Sequence, residues 1–317
     1  MSSFFESFYA NGALLVMWGA LGFHLLLPIP KSAHPVYYWQ RLAHLIANKV
    51  NPPNATPSQQ MLSGVLALTL FIVPAIAVLI AMQSLAWQAQ FYQLALLLLA
   101  LDWRTNETLA QQLIQTLSHE DKVRARLILQ DNVNRDTSSL SLLGLGKASA
   151  ETLILGYSRR VIGVLFWYGI LGGVGALLYR LMMELARTWS PSKPHYQVFG
   201  KPAVTVFLVL DILPQKLFSL LIMVGTSRQL IAATIEQSRT WHNTVTNWLL
   251  CGYANKFGLA LGGPAMYGTT KYQRARIGGK VAPAAYHLAQ LQKDIAWRIC
   301  AWIMIQSSIM FIIYQGF

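Results

Sequence analysis

Apolar runs separated by polar stretches mark the chain from end to end. The first run, 8–27, has no charged residue and one histidine, His24, and is closed by Pro28 and Pro30. The second, 61–82, is uncharged throughout. Residues 91–103 form a shorter apolar run after an uncharged link at 83–90, and a span there is placed near 88–103. A tight turn and a third span, or a re-entrant hairpin, would each satisfy its backbone. Runs at 161–183, 203–224 and 295–315 complete the series, and that at 203–224 contains Asp211, Pro214 and Lys216. An α-helix of about 20 residues crosses a hydrocarbon layer of about 30 Å, which is the scale of these runs. The pattern predicts an all-α fold: a polytopic helical integral membrane protein with about five to six transmembrane helices, forming a single membrane domain over 1–317.

Between the runs lie three polar segments, 31–60, 104–160 and 225–294, expected to be cytoplasmic and partly helical. They hold 3, 8 and 8 of the 25 Lys and Arg residues, whereas the loop 184–202 on the opposite side holds 3. The positive-inside rule therefore puts the polar segments in the cytoplasm of a multi-pass protein in a bacterial inner (plasma) membrane, with both termini periplasmic. Residues 1–12 lack a basic start and no cleavage site precedes Pro28, so the N-terminal segment is expected to stay in the membrane.

Composition agrees with this. With 54% hydrophobic and 12% charged residues, too little polar surface exists to coat a soluble body. The net charge of +13 would suit nucleic acid, but the cations sit in loops between spans and not on a folded basic module. Lipid bilayer headgroups and anionic small molecules are the expected partners, and nucleic acid is not. Cys251 and Cys300 are the only cysteines, have no CxxC spacing, and read as free thiols.

Generic enzyme signatures are missing. Gly144, Gly146 and Lys147 glance at a phosphate loop but lack its first Gly and the Ser or Thr after Lys. No HExxH, GxSxG or metal-spaced Cys/His cluster occurs, and the seven His are scattered. Gly169 and Gly173 have the GxxxG spacing of close helix packing.

Four stretches are more specific: Ala33-His34-Pro35-Val36; Asn134-Arg135-Asp136-Thr137 leading to Leu140; Ala150-Glu151-Thr152 followed by Leu165-Phe166-Trp167, Gly172-Gly173 and Tyr179-Arg180; and Leu261-Gly262-Gly263-Pro264 before Tyr267 and Ile277-Gly278. In that order and at those separations the chain resembles the CobD/CbiB family, the adenosylcobinamide-phosphate synthases of cobalamin biosynthesis. The resemblance spans nearly the whole chain. It implies an ATP- and Mg²⁺-dependent ligase that joins a carboxyl of adenosylcobyric acid to aminopropanol or aminopropanol phosphate. It further implies catalytic roles for Arg135, Asp136 and Glu151, with Asp136 and Glu151 holding Mg²⁺. His34, Thr137, Arg180, Gly262, Gly263 and Tyr267 become substrate-binding positions, the two glycines through backbone N–H groups that approach a phosphate. On spacing alone, Arg135 and Asp136 read first as a loop salt bridge beside a turn begun by Asp and Thr, and it is the resemblance that brings the functional reading level with it.

The chain also departs from that pattern. Leu155, Gly156, Arg159 and Arg160 stand where the family has carboxylates and an amide, and Met183 to Ala186 replace an Asn-Thr-Leu-Asp stretch. An Asp pair expected after Phe199-Gly200 is absent, leaving Asp211. The run around Asp211 and Pro214 resembles AmpE, a related membrane protein linked to β-lactamase regulation. A non-catalytic AmpE-like regulator or scaffold is thus the alternative to the ligase. Asp211, inside an apolar run, is expected to face a helix bundle, with Lys216 only roughly on its side.

Overall fold

The computed structural model describes residues 12–26, 34–241, 243–267 and 270–314. The opening of the 8–27 run, Ala33 and Lys31 lie outside the described residues. The chain is an all-α membrane protein whose described strands amount to two short ladders. Among the described residues four helices are long and apolar enough to cross a membrane: Pro57–Leu85, Leu142–Thr188, Lys201–Met223 and Ala285–Ile313. Ala13–His24 is a shorter apolar stretch. The chain falls into two compact units. One comprises Met1–Arg104, Gly163–Leu210 and Ile303–Phe317, the other Thr105–Ile162 and Asp211–Trp302.

In the first unit α1 (Ala13–Leu26) packs on α4 (Ala89–Ala100), which packs on α8 (Val164–Thr188). Helix α4 has 12 residues, about 18 Å of rise, and so is shorter than a hydrocarbon layer. Helix α2 (Pro35–Val50) is amphipathic, burying Val36, Ala43 and Ala47. Helix α3 (Pro57–Leu85) begins with a capping box in which Thr56 and Gln59 exchange side-chain to backbone bonds, and Pro57 supplies a pre-set first turn. Beyond that start it shows Leu62, Leu66, Leu70, Val73 and Ile80 to the outside. Such a surface is stable against acyl chains and unfavourable in water. Trp189, Phe199, Tyr196 and Phe71 form the aromatic heart of this unit, and Trp189 donates to Ala43 O at 3.1 Å.

Close approach in this core depends on Gly64. A Cβ there would overlap the carbonyl oxygen of Phe199, whereas one at Gly22 would meet nothing within 4 Å. Gly64→Ala is therefore expected to destabilise the chain by about 1–3 kcal/mol through overpacking, and Gly22→Ala to leave it unchanged. Thermal unfolding in detergent compares the two.

Helix α7 (Leu142–Tyr157) belongs to the second unit. It does not end within the polar segment 104–160 but passes through a π turn at Ser158–Gly163 directly into α8, giving one apolar helix of 47 residues. Within α8 the backbone leaves helical geometry at Gly172, with φ 66° and ψ −160°. Gly173 donates its N–H to Gln93 Oε1, and its bare α-carbon lets α4 approach. The second unit also holds α5 (Trp103–Ser118), α6 (Lys122–Gln130), α10 (Arg228–Ser238) and α11 (Asn247–Lys256). Most of α9 (Lys201–Met223) and α12 (Ala285–Tyr314) also lie in it. Between α11 and α12, strand β1 (Ala260–Gly262) pairs antiparallel with β4 (Arg276–Gly278), enclosing the β2 (Ala265–Tyr267) and β3 (Thr270–Tyr272) pair. Cys251 on α11 is buried, and Cys300 on α12 is exposed.

Candidate functional site

Glu151 is the centre of the second unit's polar chemistry. Leu145, Ala148, Ala150, Leu153 and Ile154 are buried on α7 with it, and its side chain is 8% exposed. Oε1 accepts the N–H of Gly262 at 2.9 Å and Arg274 Nη2 at 3.4 Å. Oε2 accepts Arg135 Nη2 at 3.3 Å and Arg274 Nη1 at 3.1 Å. The loop before α7, α7 itself and the β1 to β4 segment, which follows 111 residues after Glu151 at Gly262, thus meet at one carboxylate.

The glycines belong to this joint. Gly262 has φ 71° and Gly263 φ 90°, and a Cβ on Gly262 would overlap Ala275 O. The positive φ and the close strand explain glycine at 262. Both N–H groups are used inside the protein, that of Gly262 by Glu151 and that of Gly263 by Ala275 O at 3.1 Å. They are not presented to a phosphate. Arg274 caps the arrangement: its Nε donates to Gly263 O at 3.1 Å and its guanidinium lies 5.6 Å from the Trp241 ring centroid. Arg274 is one of the eight Lys and Arg residues of the polar segment 225–294, and no spacing rule links it to a residue 123 positions away.

Arg135, Asp136 and Thr137 lie in one loop but play different parts. The N–H of Asp136 donates to Met266 O at 2.9 Å, which ties the loop to β2. Its exposed carboxylate accepts Ser138 N–H and Ser138 Oγ, each at 2.9 Å, and those two bonds hold it below the ordinary carboxylate range. This is the Asp-initiated turn. Thr137 is buried and donates to Arg126 O at 3.2 Å. Tyr267, on β2, packs edge-on against Tyr272 at 5.5 Å.

His34 and Arg180 belong to the first unit. His34 caps α2, its Nδ1 accepting the Val36 N–H at 3.2 Å; burial, followed by the Arg180 guanidinium, pushes the imidazole below its ordinary value. Arg180 Nη2 lies 3.0 Å from both Asp102 and Glu184, and Gln40 donates to Glu184 at 2.6 Å. The family position Arg180 is thus a member of a buried ion network.

Two departures from the family pattern also resolve. Asp211, fully buried, takes Arg159 Nε at 2.8 Å and Gln215 Nε2 at 2.9 Å. Arg159, which stands in place of a family carboxylate, is therefore the cation beside Asp211, and the π turn carries it. Lys216 does not pair with Asp211: its Nζ donates to Asn247 Oδ1 at 2.6 Å and sits 4.5 Å from the Trp248 ring centroid.

The residues present do not fit a protein-held Mg²⁺. That ion requires near-octahedral oxygen ligands, mostly anionic or water. Both Glu151 oxygens already accept cationic donors, Asp136 is closed on its own turn, and no group of three or more His, Cys, Asp or Glu side chains placed to hold a metal occurs among the described residues.

A helical membrane protein with a guanidinium-framed carboxylate on a spanning helix is the class this architecture defines. The chain belongs to the CobD/Cbib protein family, whose model matches residues 17–295. It is 28% identical over 292 residues to "Cobalamin biosynthesis protein CobD" of Stutzerimonas stutzeri, covering 90% of this chain and 94% of that protein. The protein of the same name from Chromobacterium violaceum is 30% identical over 246 residues, covering 76% of this chain and 79% of that one. "Probable cobalamin biosynthesis protein CobD" of Pyrococcus abyssi is 27% identical over 210 residues, covering 66% and 70%. No solved structure matches significantly.

Proposed function

We propose that this chain acts in cobalamin biosynthesis as an acid–amine ligase of the bacterial inner membrane. It would join a carboxyl of adenosylcobyric acid to aminopropanol or its phosphate, with ATP as co-substrate. The observation that carries the reading is the meeting of the Arg135 loop, Glu151 and the Gly262-Gly263 segment at one carboxylate, in a chain matching the family model over 17–295. Arg135 and Arg274 carry positive charge in the same unit as exposed Lys271, Arg276 and Lys280, a balance that draws phosphate-bearing substrates. Glu151 keeps both guanidiniums oriented, and Gly262 lets the strand close on it.

The second reading is a non-catalytic membrane regulator or scaffold of the AmpE type. The inward use of Glu151 and of both glycine amides favours it, because little of the family's polar set faces outward. Purified chain in detergent, given ATP, Mg²⁺, adenosylcobyric acid and aminopropanol phosphate, is expected to form the amide, read by mass spectrometry. Absence of product, together with failure to complement a strain lacking this step, selects the regulator.

A further inference from the structure

The Glu151 cluster is not electrically balanced. Two guanidiniums face one carboxylate, with side-chain exposures of 8% for Arg135 and 11% for Arg274. Among the described residues, Glu151 is the carboxylate within salt-bridge distance of either. A secluded excess charge is unfavourable unless a counter-charge joins it.

The donor inventory points the same way. A guanidinium has five N–H donors. Arg274 directs Nε, Nη1 and Nη2 to Gly263 and Glu151, but Arg135 makes one described bond, from Nη2 to Glu151. None of the Arg135 nitrogens is among the fully buried polar atoms lacking a partner, so its remaining donors keep some contact with solvent although the side chain is mostly buried. A divalent cation would add like charge to this excess, while an oxyanion would neutralise it and accept those donors in pairs.

We propose that the cluster binds a phosphate-type oxyanion directly through Arg135, supported by Arg274, with no protein-held divalent ion, and that Glu151 is a positioning residue holding the two guanidiniums. This rests on the reading that the unit handles phosphate-bearing substrates, and it specifies how they are held. The full chain in detergent is titrated calorimetrically with inorganic phosphate and with pyrophosphate, first in excess EDTA and then in Mg²⁺. Saturable binding is expected in EDTA, weakening as salt rises. Arg135→Gln should lower affinity about tenfold or more, as befits loss of charge-assisted bonds, with Arg135→Lys in between. Arg135→Gln leaves Glu151 paired with Arg274, so the fold persists, and its unfolding transition is recorded alongside. Binding that requires Mg²⁺, binding unchanged in Arg135→Gln, or no binding in either buffer overturns the proposal. Metal-free binding without amide formation would retain it and remove the ligase reading; amide formation with Mg²⁺-dependent anion binding would do the reverse.

Discussion

Glu151→Gln is expected to destabilise the second unit by about 3–5 kcal/mol, the cost of removing one partner from a buried ion cluster. The amide has no charge to set against Arg135 and Arg274, and its NH₂ group would point a donor at donors. Because Glu151 also accepts the Gly262 N–H, and the amide keeps one neutral acceptor oxygen in place of two anionic ones, the tie of the β1 to β4 segment to α7 weakens. Hydrogen exchange in 260–278 should therefore rise before global unfolding does. The double variant Glu151→Gln/Arg135→Gln should lose less than the sum of the two single losses, since one unpaired cation is removed with the anion. Equal additive losses, with exchange in 260–278 unchanged, would show that Glu151 does not hold this joint.

Arg159→Leu is the second large effect. It removes the guanidinium 2.8 Å from a carboxylate that is 0% exposed in an apolar helix, where Asp211 also accepts the Gln215 amide. A loss of about 3–5 kcal/mol follows from removing one partner of a buried ion pair. The paired change Arg159→Leu/Asp211→Leu should recover most of it, because an apolar pair of similar volume commonly replaces a buried ion pair at little cost. Thermal unfolding of the three proteins in one detergent decides the matter. A double variant as unstable as the single one would place the function of Asp211 outside this pair.

Much of the fold was legible because a bilayer imposes long uninterrupted apolar runs. Helices α3 and α9 overlie the runs at 61–82 and 203–224. Helix α7 was hidden in a polar segment, since Lys147, Glu151, Arg159 and Arg160 break the apolar count that its neighbours Leu145, Leu153 and Ile154 would otherwise give. Strands of three residues are too short for alternation to register, so the β1 to β4 segment left only glycines as a trace. At the site, motif order brought Arg135, Glu151 and Gly262 together on paper, but not the direction in which their polar atoms point. Arg159 was visible as a family carboxylate replaced by its opposite charge. That Asp211 is its counterpart, 52 residues on, is a fact of packing that local spacing does not encode.

The two cysteines differ in a way that makes the natural chain its own probe. Burial pushes the Cys251 thiol up to about 12, so it holds its proton at any workable pH and is a poor nucleophile. Labelling by alkylating reagents then reports on Cys300 alone, on the outer surface of the apolar helix Ala285–Ile313. Maleimides graded from charged to lipid-soluble would read the immersion depth of that helix in native vesicles, with no engineered residue and no second site to correct for.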